Sequence, residues 1–413
     1  MEPGKQGSGA KVENVDATCQ DFKDMKKILY IGGFESDEKG AIGTHTAGIL
    51  RALDESDFFD LHLTNISSAK PHYLPRNLHE YYLPKPANKI AKIFAILKYA
   101  LYVKKIIKKI RPDFIYLRFD PFLTPLLTVR KTKSLVEYND IFLDQILFTS
   151  KKKYWGYWGT KFRNSGIYKR IIRSSERYTF ARAHMVIAVT DGILKYCINI
   201  KPDANGIVLH NASNAFCDIT APSQNEALIL SHVGTLTYWD GLEELIEAIN
   251  FALVKAPETR IRLNIVGDGP LQPRLKGIVH SYRLENVVRF YSSVTHDQAL
   301  NFVQSSDVIP LLKTIYTYGL SPIKYYEAMA SGCHILVSDI PCINEATEYV
   351  GTVVSYPLKI KEIGDKIIEL SQKKEDIRKN RKRIQAYAFE NHTWDSRVQL
   401  LKEKILFLEA AHS

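Results

Sequence analysis

Three side chains at helical spacing, Ser321, Lys324 and Glu327, carry the most specific chemistry in the sequence. They lie within LLKTIYTYGLSPIKYYEAMASGCHILVSDIP, residues 311–341. Ser321 is a type that caps free backbone N–H groups, and Pro322 suits a first helical position. The helix so begun runs from Ile323 to about Ser331 and stops at Gly332, a residue that tolerates a left-handed end. His334 to Ser338 then reads as a short buried strand, closed by Asp339-Ile340-Pro341. A helix start aimed at a cleft attracts an anion. Lys324 adds a point charge there, and Glu327 lies one turn further on roughly the same face. A nucleotide satisfies both groups, with its diphosphate on the helix end and Lys324, and its ribose hydroxyls on Glu327.

The elements that must position these groups alternate along the chain. Lys26 to Gly33, Asp60 to Asn65, Arg111 to Arg118, Lys133 to Asp140 and His184 to Val189 read as strands. Between them, Thr46 to Glu55, Lys89 to Ile110 and Ser175 to Arg182 read as helices. A polar stretch from Asn214 to Ala227 marks a domain boundary. A second run follows, with strands at Leu228–Val233, Arg260–Val266, Val287–Phe290 and Val308–Pro310 around the helix Leu242–Val254. Asp365 to Ala386 reads as a solvated helix of mixed charge, and Thr393-Trp394 opens a last one. The expected class is α/β with two Rossmann-like domains, and such open sheets bind ligands beyond the strand C-termini. Arg118, Asn139 and Asp140 stand at such ends.

Length and composition agree with this division. A chain of 413 residues is long for one core and comfortable for two, and 45% hydrophobic with 24% charged residues is ordinary for a globular protein. Residues 1–24 are polar and read as a disordered leader. The domains then fall at 25–213 and 214–390, with 391–413 as a terminal helix. Five cysteines in no ligand or disulfide spacing imply neither a metal site nor a disulfide framework, and a reduced, cytoplasmic setting follows.

The net charge of +11 is concentrated. Lys85 to Arg111 holds nine basic residues and no acidic one, Gln145 to Ser175 holds eight and none, and the remainder is net negative. Lys151 to Arg173 sets Trp155, Trp158 and several tyrosines among lysines and arginines. Aromatic rings beside cations suit a lipid headgroup zone, and the same mixture suits stacked single-stranded nucleic acid or a mobile acceptor loop. No nucleic-acid module accompanies it. The preferred partner is an anionic membrane surface met through Lys85–Arg111 and Lys151–Arg173, with the protein peripheral on the inner face.

The pattern S-P-x-K-x-x-E-A-M-A-x-G, followed by a strand and S-D-x-P, resembles the donor-binding signature of retaining, GT-B-fold glycosyltransferases of family 4. The likeness extends from Lys26 to about Ala410. It implies two Rossmann-like domains facing across a cleft, the acceptor in the first and the donor in the second, with the last helix crossing back onto the first domain and anchored by Trp394. It also implies transfer from a nucleotide sugar, UDP- or GDP-linked, to a glycan or lipid-linked acceptor, with the nucleotide sugar as substrate and no cofactor or metal. Ser321, Pro322, Ile323, Lys324 and Glu327 would hold the donor, with Lys313 assisting. Gly43, in the loop Gly40-Ala-Ile-Gly43-Thr-His45, would approach donor phosphate or acceptor, although a plain tight turn explains it too. His45 reads as a helix-start residue in preference to a base. Gly267 and Gly269 would let backbone approach the nucleotide, or simply form a turn, and the loop ending at Val294 would meet the base.

The sequence departs from that family in three features. Its diphosphate-binding Arg and Lys are here Thr235 and Asp240, which leaves Lys324, the helix end and Lys313 to neutralise phosphate. The first carboxylate of its E-x7-E pair is Gly319, and its cleft histidine is replaced by Asn139-Asp140. These two therefore stand with Lys324 and Glu327 as candidate catalytic groups. Another GT-B activity (a sugar-nucleotide epimerase or a phosphorylase) and a scaffold that binds without turnover are the alternative readings.

Overall fold

The computed structural model describes residues 25–32, 41–66, 73, 75–81, 89–128, 133–141, 143, 164–219, 226–315, 321–340 and 347–411. The leader, the tryptophan-bearing segment 151–163, Gly33, Gly40, Gly319 and Pro341 lie outside these. In the first domain the order is β1 (Lys26–Ile31), α1 (Ala41–Glu55), β2 (Phe59–Ile66), β3 (Asn77–Tyr81), α2 (Lys89–Ile110), β4 (Phe114–Arg118), α3 (Thr124–Leu127), β5 (Lys133–Tyr138), α4 (Gly166–Phe180), β6 (Met185–Ala188), α5 (Asp191–Ile200) and β7 (Gly206–Val208). The seven strands form one parallel sheet, ordered β3-β2-β1-β4-β5-β6-β7. Central strands such as β6 are buried on both faces, which is why they are apolar throughout rather than alternating. One face is covered through Tyr99, Val103, Leu127, Phe180 and Ile193 of α2 to α5. The other is covered by α1 through Ile49, Leu50 and Leu53.

The second domain continues with β8 (Leu228–Val233), α6 (Leu242–Lys255), β9 (Ile261–Val266), α7 (Gln272–Ser281), β10 (Val288–Tyr291), α8 (His296–Gln304), β11 (Val308–Leu311), α9 (Ile323–Ala330), β12 (His334–Ser338), α10 (Thr347–Val350), β13 (Gly351–Val354), α11 (Ile360–Gln372), α12 (Lys374–Asn391) and α13 (Trp394–Ala410). Its six parallel strands run β10-β9-β8-β11-β12-β13. The order reverses between β8 and β11, so the loops that leave these two strands diverge and open a crevice. Those loops carry Gly234 to Gly241 on one side and Lys313 on the other.

Several expectations change. Helix α1 begins at Ala41 rather than Thr46, so Gly43 lies in its first turn and not in a loop. The charged stretch 365–386 is divided between α11 and α12, and it is not simply solvated. Arg378 is buried because Asp307 requires it: Nε lies 2.8 Å from Oδ1 and Nη2 3.0 Å from Oδ2. Strand β3, NLHEY, was not anticipated, because a half-exposed edge strand shows no clean apolar pattern.

Helix α13 packs against the first sheet, where Trp394, Val398, Leu401, Ile405 and Leu408 join the core of α1. Its indole occupies the space that a side chain at position 48 would need, so Gly48 is what allows α1 and α13 to meet there. None of the described helices is long and apolar enough to cross a membrane.

Candidate functional site

Ser321 does not cap α9. Pro322 takes the N-cap position, one residue after the cap expected at Ser321, and makes no side-chain cap bond. Ser321 Oγ instead accepts a hydrogen bond from Asn211 N at 3.0 Å, and its carbonyl accepts one from Asn211 Nδ2. The two bonds across the domain boundary displace a single local cap. The N-cap residue therefore offers no side-chain acceptor to the first-turn N–H groups of α9, which begin at Ile323. The Ile323 side chain itself is buried. At its other end α9 closes as expected, on Gly332 at φ +70°. There Cys333 N bonds to Ala328 O at 2.9 Å and Gly332 N to Met329 O at 2.8 Å.

Asn211 extends the tie into the first domain. With Nδ2 committed to Ser321, its Oδ1 faces His45 Nδ1 at 2.6 Å. His45 Nε2 lies 2.6 Å from Glu137 Oε1, and Tyr116 donates to the other Glu137 oxygen at 2.7 Å. Burial would raise the Glu137 carboxyl, but His45, Arg118 and Tyr116 together hold it at about 2. His45 Nδ1 is taken up by Asn211 Oδ1, whereas Nε2 stands close to Glu137 Oε1 without a well-aligned hydrogen bond. Arg397 of α13 secures the linker from behind, donating to His210 O at 3.1 Å and Asn211 O at 3.3 Å.

The charged cluster sits at the crevice. A side chain at Gly234 would collide with the Lys324 amine, and Gly234 itself has φ +134°, so glycine here gives the ammonium its place against backbone. Burial, reinforced by Lys313, pushes Lys324 down to about 8, against opposing pulls from Asp240 and Glu327. Lys313, the second expected cation, is already paired: its Nζ is 2.5 Å from Asp240 Oδ1. Thr237 donates to the other Asp240 oxygen. Burial alone would raise Asp240, yet Lys313, His232 and Lys324 bring it down to about 2. His232 beneath them is pushed to about 3 by burial and Lys324, and is neutral at pH 7. Glu327, 13% exposed, lies 3.7 Å from His296 Nε2. Burial raises its carboxyl, with His296 and Lys324 opposing.

The remaining candidates are dispersed. At Gly267 the space for a side chain is filled by Gly234 O, and at Gly269 by the backbone of Leu236. Both glycines therefore serve the stacking of the loops after β8 and β9, where Leu236 N bonds to Asp268 O at 3.1 Å. Val294 is exposed beside Ser293, whose N–H is fixed by Asp268 Oδ2 at 2.8 Å. Gly43 is buried in α1. Asn139 and Asp140 follow β5 in the first domain, half-buried, and among the described residues nothing hydrogen-bonds the buried Asn139 Oδ1.

Sequence reasoning missed His296, Asn211 and the Glu137–His45 pair as contributors. Thr295-x-x-Gln298 forms a capping box and could have marked His296 as the first residue of α8. A lone carboxylate in the apolar strand β5 was a signal of a buried partner. Among the described residues, no group of three His, Cys, Asp or Glu is placed to hold a metal ion.

Comparison with known proteins bears on this geometry. Sucrose-phosphate synthase from Thermosynechococcus elongatus superposes with a TM-score of 0.69 at 15% identity, covering 94% of this chain and 100% of its own. Anabaena HepE in complex with UDP and glucose gives 0.63 at 17%, covering 92% and 99%. The lipopolysaccharide outer core galactosyltransferase WaaB gives 0.63 at 16%, also covering 92% and 99%. The chain has the GT-B fold. Residues 219–391 also match the family model described as Glycosyl transferases group 1. No curated protein sequence matches the chain. The matched region of this GT-B protein runs from just before β8 to the end of α12, and so contains the whole cluster around Lys324.

The cluster makes one electrostatic prediction. In an NMR titration of the lysine amines, with Lys324→Arg providing the assignment, Lys324 should titrate near 8, losing its charge above that pH. Ordinary lysines titrate at about 10.4. A Lys324 amine indistinguishable from them contradicts the buried placement beside Gly234.

Proposed function

We propose that this GT-B protein transfers a glycosyl group from a nucleotide sugar to an acceptor hydroxyl, with retention at the anomeric carbon. The observation that carries the reading is the Lys324 ammonium, held against Gly234 at the uncapped start of α9, with Glu327 one turn on. In this reading the diphosphate lies on the helix start and Lys324, and the ribose hydroxyls bond to Glu327. The nucleotide sugar is a substrate and no cofactor is required. UDP is the favoured carrier over GDP, because HepE was solved with UDP and glucose. The match to Glycosyl transferases group 1 supports the activity, and the S-P-x-K-x-x-E resemblance is the ground for retention.

The chemistry asked of the protein is stabilisation of a leaving nucleoside diphosphate. As the anomeric C–O bond breaks, negative charge grows on the phosphate oxygen, where the α9 dipole and Lys324 take the part a metal ion could play. The acceptor oxygen bonds to the same carbon from the same face, and the departing phosphate oxygen receives its proton. Asn139 and Asp140 would face the acceptor from the first domain. Replacing Lys324 or Glu327 by Ala should lower transfer at least roughly ten-fold, about 1.4 kcal/mol in the barrier. Donor hydrolysis without acceptor separates an enzyme from a binding scaffold. Unchanged turnover in both variants would remove the assignment.

We further propose a lipid-linked or glycolipid acceptor met at an anionic membrane, on the cytoplasmic side. Support comes from α2 and α4, whose inner faces join one core on the same side of the first sheet. Their outer faces expose Phe94 (60%), Leu97, Leu101 (61%), Ile167 (71%) and Ile171. Lys98, Lys104, Lys105, Arg170 and Arg173 are exposed among them. Apolar side chains surrounded by cations suit insertion at an anionic headgroup layer. WaaB, by its description, acts on the lipopolysaccharide outer core. The variant Phe94→Ser/Leu101→Ser/Ile167→Ser should lose most flotation with phosphatidylglycerol-containing liposomes while retaining its melting temperature. Equal flotation would rule this surface out.

A further inference from the structure

The crevice holds one feature that nucleotide binding alone does not explain. An anion site ought to present its cations, yet Lys313 is tied to a carboxylate. Asp240 arrives on the loop after β8 and Lys313 on the loop after β11, from the two sides of the point where strand order reverses. The loops are joined by further bonds. Thr314 N donates to Trp239 O at 3.2 Å, and Thr314 Oγ1 donates to Tyr238 O at 3.0 Å. The two paired side chains are only 10% and 8% exposed, and the Thr237 hydroxyl fixes the second Asp240 oxygen. So the pair is a built element rather than a surface contact.

We propose that Asp240 is an internal competitor of the donor's diphosphate for Lys313. The inference rests on the donor reading given above. In the ligand-free protein the Asp240 carboxylate neutralises Lys313 and, at longer range, Lys324. An arriving diphosphate attracts both lysines and is repelled by Asp240, so it must share Lys313 or draw it away. When the nucleoside diphosphate departs after transfer, Asp240 recovers the ammonium. The two interactions are of the same kind, opposite charges in a partly dry site, so their difference is small although each is strong. The site thereby grips the product less firmly than two unopposed lysines would. Asp240 touches no reacting atom and acts through Lys313, as a positioning residue.

The test is calorimetric titration of UDP and GDP into the full chain and into Asp240→Asn, which keeps the shape and an oxygen for Lys313. The variant is expected to bind the nucleotide that the wild type prefers about ten-fold more tightly and with a steeper salt dependence. In steady state, its donor KM and its product inhibition constant should fall together. Equal or weaker binding overturns the proposal while leaving the donor site standing. If the wild type binds neither nucleotide, the donor reading fails instead. Inorganic pyrophosphate then serves as the probe: tighter binding to Asp240→Asn supports competition and no difference overturns it. If Asp240→Asn does not fold, the paired variant Lys313→Met/Asp240→Asn replaces it. Competition predicts binding within about three-fold of wild type, because the pair is removed as a neutral unit. A loss of ten-fold or more would mean that Lys313 grips phosphate unopposed, and contradicts the proposal.

Discussion

A partly buried ammonium group with, among the described residues, no acid directly bonded to it is the constraint around which the second domain is arranged. Lys324 is held against the Gly234 backbone, where partial burial and the nearby Lys313 weaken its hold on the proton. Such a charge is tolerable only where the protein supplies compensation at a distance or a ligand supplies it directly. Here the compensation is divided between Asp240, shared with Lys313, and Glu327, itself poorly solvated. Glycine at 234 is part of the same constraint, since any side chain there would occupy the position of the amine.

The first domain contributes by fixing where α9 begins. A short helix with no side-chain cap at its start needs support elsewhere, and Ser321 finds it in Asn211 across the boundary. Asn211 is in turn oriented by His45 and Glu137, and backed by Arg397. Each of these bonds is ordinary in strength, about 1 kcal/mol for neutral pairs and more for charged ones. Partly buried and linked one to the next, they hold Ser321 from the first domain. The start of α9 is therefore set from the core of the opposite domain rather than by its own sequence.

Much of this could be read from the chain, for identifiable reasons. Buried strands are mostly apolar and punctuated by glycine or proline, so β8 and β12 were legible to the residue. Helix α2 was equally legible, whereas β3 was not, being an exposed edge. At the site, Lys324 and Glu327 stood out through spacing within one helix. The role of Ser321 did not, because a local cap and a distant tie use the same hydroxyl and only the fold distinguishes them. The same holds for Gly267 and Gly269: glycine signals a close approach, but not whether the approaching atom belongs to a ligand or to the neighbouring loop. Asp240 looked like the loss of a family lysine, and its engagement with Lys313, 73 residues away in sequence, has no sequence signature.

The central claim concerns where a phosphate goes. A crystal structure of the full chain with UDP bound tests it most directly. The account predicts a phosphate oxygen within hydrogen-bond distance of Lys324 Nζ and of the first N–H groups of α9, and the ribose hydroxyls on Glu327. UDP bound elsewhere, with Lys324 still packed on Gly234 and untouched by phosphate, would contradict it.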